Sequence, residues 1–96
     1  MHVISKKRLI EFWTRHPDSR KPLVAWLKIV RTSRYRSWHE LKATFPRADR
    51  VEGRVVFDIG GNKYRLIAVI HFNRFKVYVR QVLTHGEYDK GGWKHG

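Results

Sequence analysis

Two segments of the chain carry the side chains best suited to chemistry. The first, residues 60–65, is GGNKYR, and the second, residues 84–89, is THGEYD. Histidine titrates near neutral pH, so His85 is the leading candidate for moving a proton. Arg65 offers a planar fork of donors that suits phosphate oxygens and developing negative charge. Because a strand hairpin joins the two segments in the pattern below, we expect both to reach one place.

The net charge points to an anionic partner. The 96 residues include 21 Lys and Arg but only 8 Asp and Glu, which gives a formal charge of +13. Such a charge attracts nucleic acid, an acidic membrane surface or an acidic protein, and we favour nucleic acid. The alternative is a generically basic domain with no specific anionic partner.

Length and composition exclude several classes of site. A chain of 96 residues predicts one domain, 1–90, with a flexible basic tail over 91–96. The absence of cysteine excludes disulfides, thiolate zinc sites and a cysteine nucleophile, and it fits the cytoplasm. The six histidines lack metal-ligand spacing, and the longest apolar stretch, Leu66–Ile70, is too short to span a bilayer. We expect no metal, no cofactor and no membrane association.

The first half of the chain predicts one short strand and two or three helices. His2–Ile4 is β-prone and is a candidate edge strand. Helical spacing follows on both sides of Pro17, with Ser5 and Ser19 as the expected N-caps. A capping box, Ser37–Glu40, opens a short third helix, and residues 47–53 then predict a polar connector.

The second half predicts a three-stranded antiparallel meander. From Arg54 the hydrophobic period changes to two, with turns at Gly60–Asn62 and Asn73–Arg74. The expected fold class is therefore α+β, with the helices packed on one face of a mostly antiparallel, twisted sheet. Counting from the turns pairs Arg65 with both Asp58 and Val82. It also pairs Arg80 with Ile67.

The register divides the strand residues between two faces. The predicted core face carries Phe57, Leu66, Ala68, Ile70, Val77, Val79 and Leu83. The predicted basic face carries Arg54, Asp58, Arg65, His71, Lys76, Tyr78, Arg80 and Thr84. Cations interleaved with rings suit an RNA strand, since cations hold phosphate and rings stack on bases. The alternative is a solvated face with a cross-strand pair between Asp58 and Arg65.

The candidate site residues differ in how many roles they allow. The RNA-binding candidates are Arg54, Asn62, Lys63, Lys76, Tyr78 and Arg80. Asn62 either reads a base edge or only adopts the turn, which is the more common case. Tyr88 either acts through its phenol or stacks on a base, and a role as a base would need neighbouring cations to lower its pKa. Asp89 either orients His85 or caps a last helical turn.

These segments together resemble a known family. Residues 57–65, FDIGGNKYR, and residues 80–89, RQVLTHGEYD, are similar to the HigB toxins of bacterial type II toxin–antitoxin systems. The opening HVIS and the later LKATFP are similar too, so the resemblance covers about residues 1–90. The GGN-x-x-R and THxEYD motifs are specific in this order and at this spacing.

The resemblance implies a RelE-like fold and a metal-independent endonuclease that cleaves mRNA in the ribosomal A site. It also implies a cognate HigA antitoxin with a helix-turn-helix domain. Arg65, His85 and Tyr88 match the family's catalytic positions, although RelE itself has an arginine where this chain has His85. Two alternatives remain: a non-catalytic RNA- or ribosome-binding module, and a domain that binds an acidic protein. Loss of cleavage without loss of binding in site variants would identify the enzyme.

Overall fold

The helical half of the chain matches its hydrophobic spacing. The computed structural model describes residues 1–95 and begins with strand β1 (His2–Ile4). Helices α1 (Lys6–Arg15), α2 (Arg20–Arg31) and α3 (Trp38–Thr44) follow. Their buried residues recur at helical spacing, as expected for helices that pack one side against a core. Those of the two longer helices are Leu9, Phe12, Leu23, Trp26 and Val30.

All three predicted serines occupy the N-cap positions of their helices, and one of them makes the capping hydrogen bond through its side chain. The Ser37 hydroxyl accepts a hydrogen bond from the backbone N–H of Glu40 at 3.3 Å. The side chains of Ser5 and Ser19 make no such bond. Ser5 lies in the left-handed region at φ 73°, because the chain turns sharply there from β1 into α1. Ser19 ends a 3₁₀ turn, and its hydroxyl donates to the carbonyl of His16 at 2.6 Å.

In the described part of the chain the sheet has five strands, two more than the predicted meander. The further strands are β2 (Asp49–Val51), β3 (Arg54–Ile59), β4 (Tyr64–His71) and β5 (Lys76–Thr84), and the spatial order is β1-β5-β4-β3-β2. The edge strand β1 is confirmed and pairs parallel with β5, whereas the other pairs are antiparallel.

Strand β2 lies in the segment that was expected to be a polar connector. The strand is short and its side chains are mainly exposed, so it leaves no hydrophobic alternation in the sequence. A tight turn through Glu52 and Gly53, both at positive φ, joins β2 to β3. The polar composition that suggested a connector is therefore that of an edge strand.

A β-bulge changes the predicted register halfway along β5. Between β3 and β4 the prediction is confirmed, since Asp58 pairs with Arg65. Between β4 and β5 the pairing shifts between Ile67 and Ala68, whose partners are Gln81 and Val79. Arg80 is the extra residue, so its predicted pairing with Ile67 was wrong.

Beyond the bulge the predicted faces must be exchanged. Leu83, not Val82, pairs with Arg65, and it packs on the face of the sheet away from the helices. Val82 instead joins the core beneath the helices. Thr84, expected on the basic face, pairs with Tyr64, which is itself a core residue.

The chain end packs on the sheet, where the sequence predicted a flexible tail over 91–96. Residues Gly92–His95 form a 3₁₀ turn, and Trp93 is only 5% exposed. Its indole forms a second apolar cluster with Val56 and Ile67, on the face opposite the helices. The apolar ring explains the difference, because it covers two buried strand residues on the face opposite the three N-terminal helices. Gly96 lies outside the described residues.

The α+β class is confirmed, with the helices over one face of a mostly antiparallel sheet. Among residues 1–95 no helix is long and apolar enough to cross a membrane.

Candidate active site

Arg65 is the buried centre of the site. It lies near the start of β4 and is only 8% exposed. Its Nε is 3.3 Å from the Asp58 carboxylate across the strand pair, and its Nη2 donates to Oδ1 of Asn62. A third donor, Nη1, bonds the carbonyl of Tyr64 at 3.1 Å. These contacts fix the guanidinium, whose central carbon lies 5.5 Å from the ring centre of Tyr88.

The β3–β4 turn supplies support for Arg65. Gly60 and Gly61 both have positive φ, the conformation that glycine adopts most easily. The turn places the Asn62 amide oxygen on Arg65, so the structure gives Asn62 a contact within the site. Its predicted reading of a base edge stays a prediction.

Lys63 faces away from Arg65 and contacts the segment before α2. Its Nζ lies 3.3 Å from the carboxylate of Asp18, and both side chains are exposed. Asp18 also accepts a 2.6 Å hydrogen bond from the phenol of Tyr64. This hydrogen bond is the main reason that the pKa of the Asp18 carboxyl is lowered, and Lys63 lowers it further. The same bond raises the pKa of the Tyr64 phenol. Lys63 therefore has one protein partner already.

Helix α4 (His85–Lys90) brings the second motif to the first. Thr84 and Glu87 form a capping box at its start, in which the Glu87 carboxylate accepts from the backbone N–H of Thr84 at 2.9 Å. That bond is the main reason that the pKa of Glu87 lies below its usual value. The N–H of His85 donates to the carbonyl of Lys63 at 3.0 Å, which joins α4 to the β3–β4 turn.

His85 and Asp89 form a pair on the surface of α4. The imidazole Nε2 lies 3.1 Å from the Asp89 carboxylate, one helical turn away, and both side chains are exposed. With the Nε2 hydrogen donated to Asp89, the lone pair of Nδ1 is available to accept a proton. The geometry thus supports the orienting contact predicted for Asp89.

The environment of Tyr88 disfavours a role as a base. Burial raises the pKa of its phenol, and the carboxylates of Asp49, Asp58 and Asp89 raise it further. Among the described residues Arg65 is the one cation that lowers it, so the balance is opposite to the expected lowering by nearby cations. The phenol is therefore a proton donor at neutral pH.

The ring of Tyr88 is already stacked. The indole of Trp93 lies parallel to it, at 14° and 5.2 Å between ring centres. The indole N–H also donates to the carbonyl of Tyr88 at 3.0 Å. Because one partner already stacks on the phenol ring, the predicted stacking on a base is the less favoured role.

The other RNA-binding candidates lie at different distances from this centre. Arg54 donates to the carbonyl of Lys94 at 3.4 Å, and exposed Arg80 sits on the bulge. Lys76 and Tyr78 lie at the far end of β5, where the Tyr78 ring is 5.1 Å from that of His71. Six residues of strand separate Tyr78 from Thr84, about 20 Å. The structure therefore does not bring these two candidates to α4.

Sequence reasoning missed two contributors to the site. The capping box could have been predicted from the sequence, because Thr84 and Glu87 have the T-x-x-E spacing. The position of Trp93 could not, because a single aromatic residue in a Gly-rich segment gives no periodicity. Among the described residues, no three His, Asp or Glu side chains gather as metal ligands would.

Comparisons with known proteins identify the family of the chain. Residues 19–91 match the family model HigB_toxin, described as the RelE-like toxic component of a toxin–antitoxin system. The mRNA interferase toxin HigB of Escherichia coli (strain K12) is 35% identical over 92 residues, which are 93% of this chain and 88% of the relative. The mRNA interferase HigB of Shigella flexneri matches to the same extent.

A further relative, the mRNA interferase HigB of Escherichia coli O6:H1, is 31% identical over 93 residues, or 94% of this chain and 90% of the relative. The family match covers most of the chain, including both motifs and the whole of β3, β4 and β5. The chain therefore belongs to the HigB toxin family, the RelE-like toxic components of toxin–antitoxin systems.

Proposed function

We propose that this chain is an endoribonuclease that cleaves mRNA and so inhibits translation. The observation that carries the proposal is the pairing of a buried, fixed Arg65 with the Tyr88 phenol, beside the His85–Asp89 pair on the same short helix. The relatives named mRNA interferase support it, since they match over nearly the whole chain.

Each side chain has a role in an acid–base reaction at phosphorus. Nδ1 of His85 takes the proton of the 2′-OH while Asp89 holds the imidazole by its other nitrogen. The 2′-oxygen attacks the adjacent phosphorus, and Arg65 stabilises the charge that gathers on the phosphoryl oxygens. The Tyr88 phenol gives its proton to the departing 5′-oxygen. The products are a 2′,3′-cyclic phosphate and a free 5′-hydroxyl.

Partners follow from the family and the charge. We propose that the antitoxin is a HigA-type protein with a helix-turn-helix domain, that cleavage takes place in the cytoplasm on mRNA in the ribosomal A site, and that it needs no metal. The net charge of +13 supports association with ribosomal RNA and messenger RNA. The cations proposed to bind RNA are Arg54, Lys63, Lys76 and Arg80, and Tyr78 is proposed to join Lys76 at the far end of β5.

Inducible expression in a bacterium tests the proposal. The wild type is expressed beside His85→Ala, Arg65→Ala and Tyr88→Ala, and mRNA 5′ ends are mapped. Lys21→Ala, an exposed change on α2, is the matched control. We expect new 5′ ends inside translated frames for the wild type and the control, and their loss in soluble His85→Ala protein. Folded protein that binds RNA but produces no new ends would leave only the binding module.

Two additions test the finer claims. Purified protein is assayed on a message with and without ribosomes, and we expect cleavage only with ribosomes. Protein stripped with EDTA and desalted before mixing should cleave as fast as untreated protein. Cleavage of free RNA, or loss of activity after stripping that an added transition metal restores, would contradict the respective claim.

A further inference from the structure

A small cavity beside the proposed active site has an unusual lining. It occupies about 260 Å³ and is lined by residues of α1, of strands β3, β4 and β5, and of the turn after α4. Three arginines from three different parts of the chain meet there around an apolar surface, and none of the described residues that line the cavity is acidic. The lining residues are Arg8, Arg54, Ile67, Arg80, Gln81 and Trp93.

The β-bulge brings two of these arginines together. Arg80 is the extra residue in β5, and its carbonyl accepts a 2.9 Å hydrogen bond from Nη1 of Arg8 on α1. Both side chains are exposed, so their charges remain available to a ligand. Guanidinium groups repel one another, and an anion placed between them removes that repulsion. Phosphate matches their fork of donors best.

The apolar part of the cavity suits a nucleobase. Trp93 and Ile67 belong to the second apolar cluster, and the amide of Gln81 lies at the same place along the sheet. An indole and an arginine plane are surfaces on which bases stack, and a glutamine amide can bond a base edge.

The cavity and the proposed active site share a residue. Trp93 lines the cavity and stacks on Tyr88 at 5.2 Å. Along β4, the pair containing Ile67 is two residues from the pair containing Arg65, roughly 7 Å. That separation is on the scale of neighbouring nucleotides in one strand.

We propose that this cavity is a second RNA subsite, which takes a nucleotide next to the one that is cut. Its phosphate lies between Arg8 and Arg80, and its base packs against Trp93. The proposal rests on the proposed function, since it assumes that RNA occupies the neighbouring site. A wider groove of about 650 Å³ between α1 and β5 is also lined by Arg8 and Arg80, and it gives the strand a path away from the cavity.

Binding to an RNA that cannot be cut tests the subsite directly. The probe is a fluorescently labelled oligonucleotide with 2′-O-methyl groups throughout, and its affinity is measured by anisotropy at several salt concentrations. Arg80→Gln is the main variant, because it removes the charge and keeps the backbone acceptor of Arg8. We expect binding to weaken several-fold, and the slope of log K against log salt to become shallower by about 0.7.

Three further variants serve as comparisons in the binding measurement. Arg8→Gln should act like Arg80→Gln, Arg80→Lys should keep the wild-type slope, and Lys21→Gln should leave both quantities unchanged. Thermal unfolding of each variant confirms that it folds. If Arg8→Gln and Arg80→Gln bind as Lys21→Gln does, the subsite is wrong.

His85→Ala separates the subsite from the proposed function. We expect it to abolish cleavage while its affinity and salt slope stay at the wild-type values. If His85→Ala still cleaves mRNA, the catalytic assignment fails and the anisotropy results still decide the subsite.

Discussion

At the scale of single residues, the surroundings of each side chain, more than its residue type, determine which role it can take in the site. Arg65 is charged and buried, and it is tied to Asp58, Asn62 and the chain itself. A guanidinium fixed in this way needs little reorganisation when charge develops beside it. His85 is exposed and held at one nitrogen, so substrate can reach the other. Tyr88 is partly buried and keeps its proton.

Tyr88→Phe tests the role of that proton. The change keeps the ring but removes the phenol, and we expect the cleavage rate to fall about 100-fold, as for loss of a general acid. Because the pKa of Tyr88 is raised from 10.0, its phenol stays protonated as the pH rises past that value. The ultraviolet difference between the wild type and Tyr88→Phe at pH 10.0 should therefore be smaller than the half-ionised tyrosine that a phenol with an unshifted pKa of 10.0 would contribute. A midpoint below 10.0 for Tyr88 would instead favour a base.

At the scale of elements, α4 is a short helix that depends on its first turn. Six residues form too few intrahelical bonds to be stable alone, so the capping box contributes a large share. We expect Thr84→Ala to lower the free energy of unfolding by about 1 kcal/mol. Urea unfolding at neutral pH measures this, and Thr44→Ala, at an exposed threonine at the end of α3, is the control for loss of a hydroxyl.

The capping box also predicts a pH dependence. Since the pKa of Glu87 is lowered from 4.5 in the folded chain, its contribution is fully present above that value. The contribution is lost as the pH falls through the lower, folded pKa. The stability difference between wild type and Glu87→Gln should therefore shrink below pH 4.5, and Glu11→Gln controls for the loss of one negative charge. A difference that grew towards acid pH would contradict the capping role.

The turn after α4 holds Tyr88 in position through Trp93. Trp93 contacts it by ring stacking and by a hydrogen bond to its carbonyl. We expect Trp93→Ala to slow cleavage about 10- to 100-fold at saturating substrate, because a small displacement of a reacting group is costly. Trp93→Phe keeps an aromatic ring and should restore most of the rate. In Trp93→Ala the titration of Tyr88 should also move to lower pH as burial is lost, whereas an effect on stability alone would leave that titration in place.

Helices and strands were predictable from the sequence where their buried residues recur at a regular spacing. The helices, β3 and β4 were predicted because their buried residues recur at fixed spacing, and the Asp58–Arg65 pair followed from the turn. The β4–β5 register was predicted only as far as the bulge, since the extra residue at Arg80 leaves no mark on composition. Both motifs of the site were identified, and the structure joins them through His85 and Lys63. Apart from the neighbouring Asp89, the charges that set the state of Tyr88 come from chain-distant residues, which no local pattern encodes.

At the scale of the whole molecule, the charge that attracts RNA also opposes folding. A net charge of +13 on 96 residues produces self-repulsion in the compact state. Raising the ionic strength from about 0.1 M to about 1 M shortens the screening length from about 10 Å to about 3 Å. We therefore expect the melting temperature to rise over this range in sodium chloride, measured by circular dichroism. A constant or falling melting temperature would show that local ion pairs outweigh the repulsion.

The bulge has a consequence for how the chain tolerates the loss of a residue. Deleting Arg80 would place Val79 next to Gln81, and their partners Ala68 and Ile67 are already neighbours on β4. Every remaining pair would keep its partner and its face, so the shortened protein should fold and show a cooperative melt. Deleting Val77 instead would exchange the two faces for part of the strand. The bulge is thus the position in β5 at which one residue can be deleted while the strand on both sides keeps its pairing and its core-facing side chains.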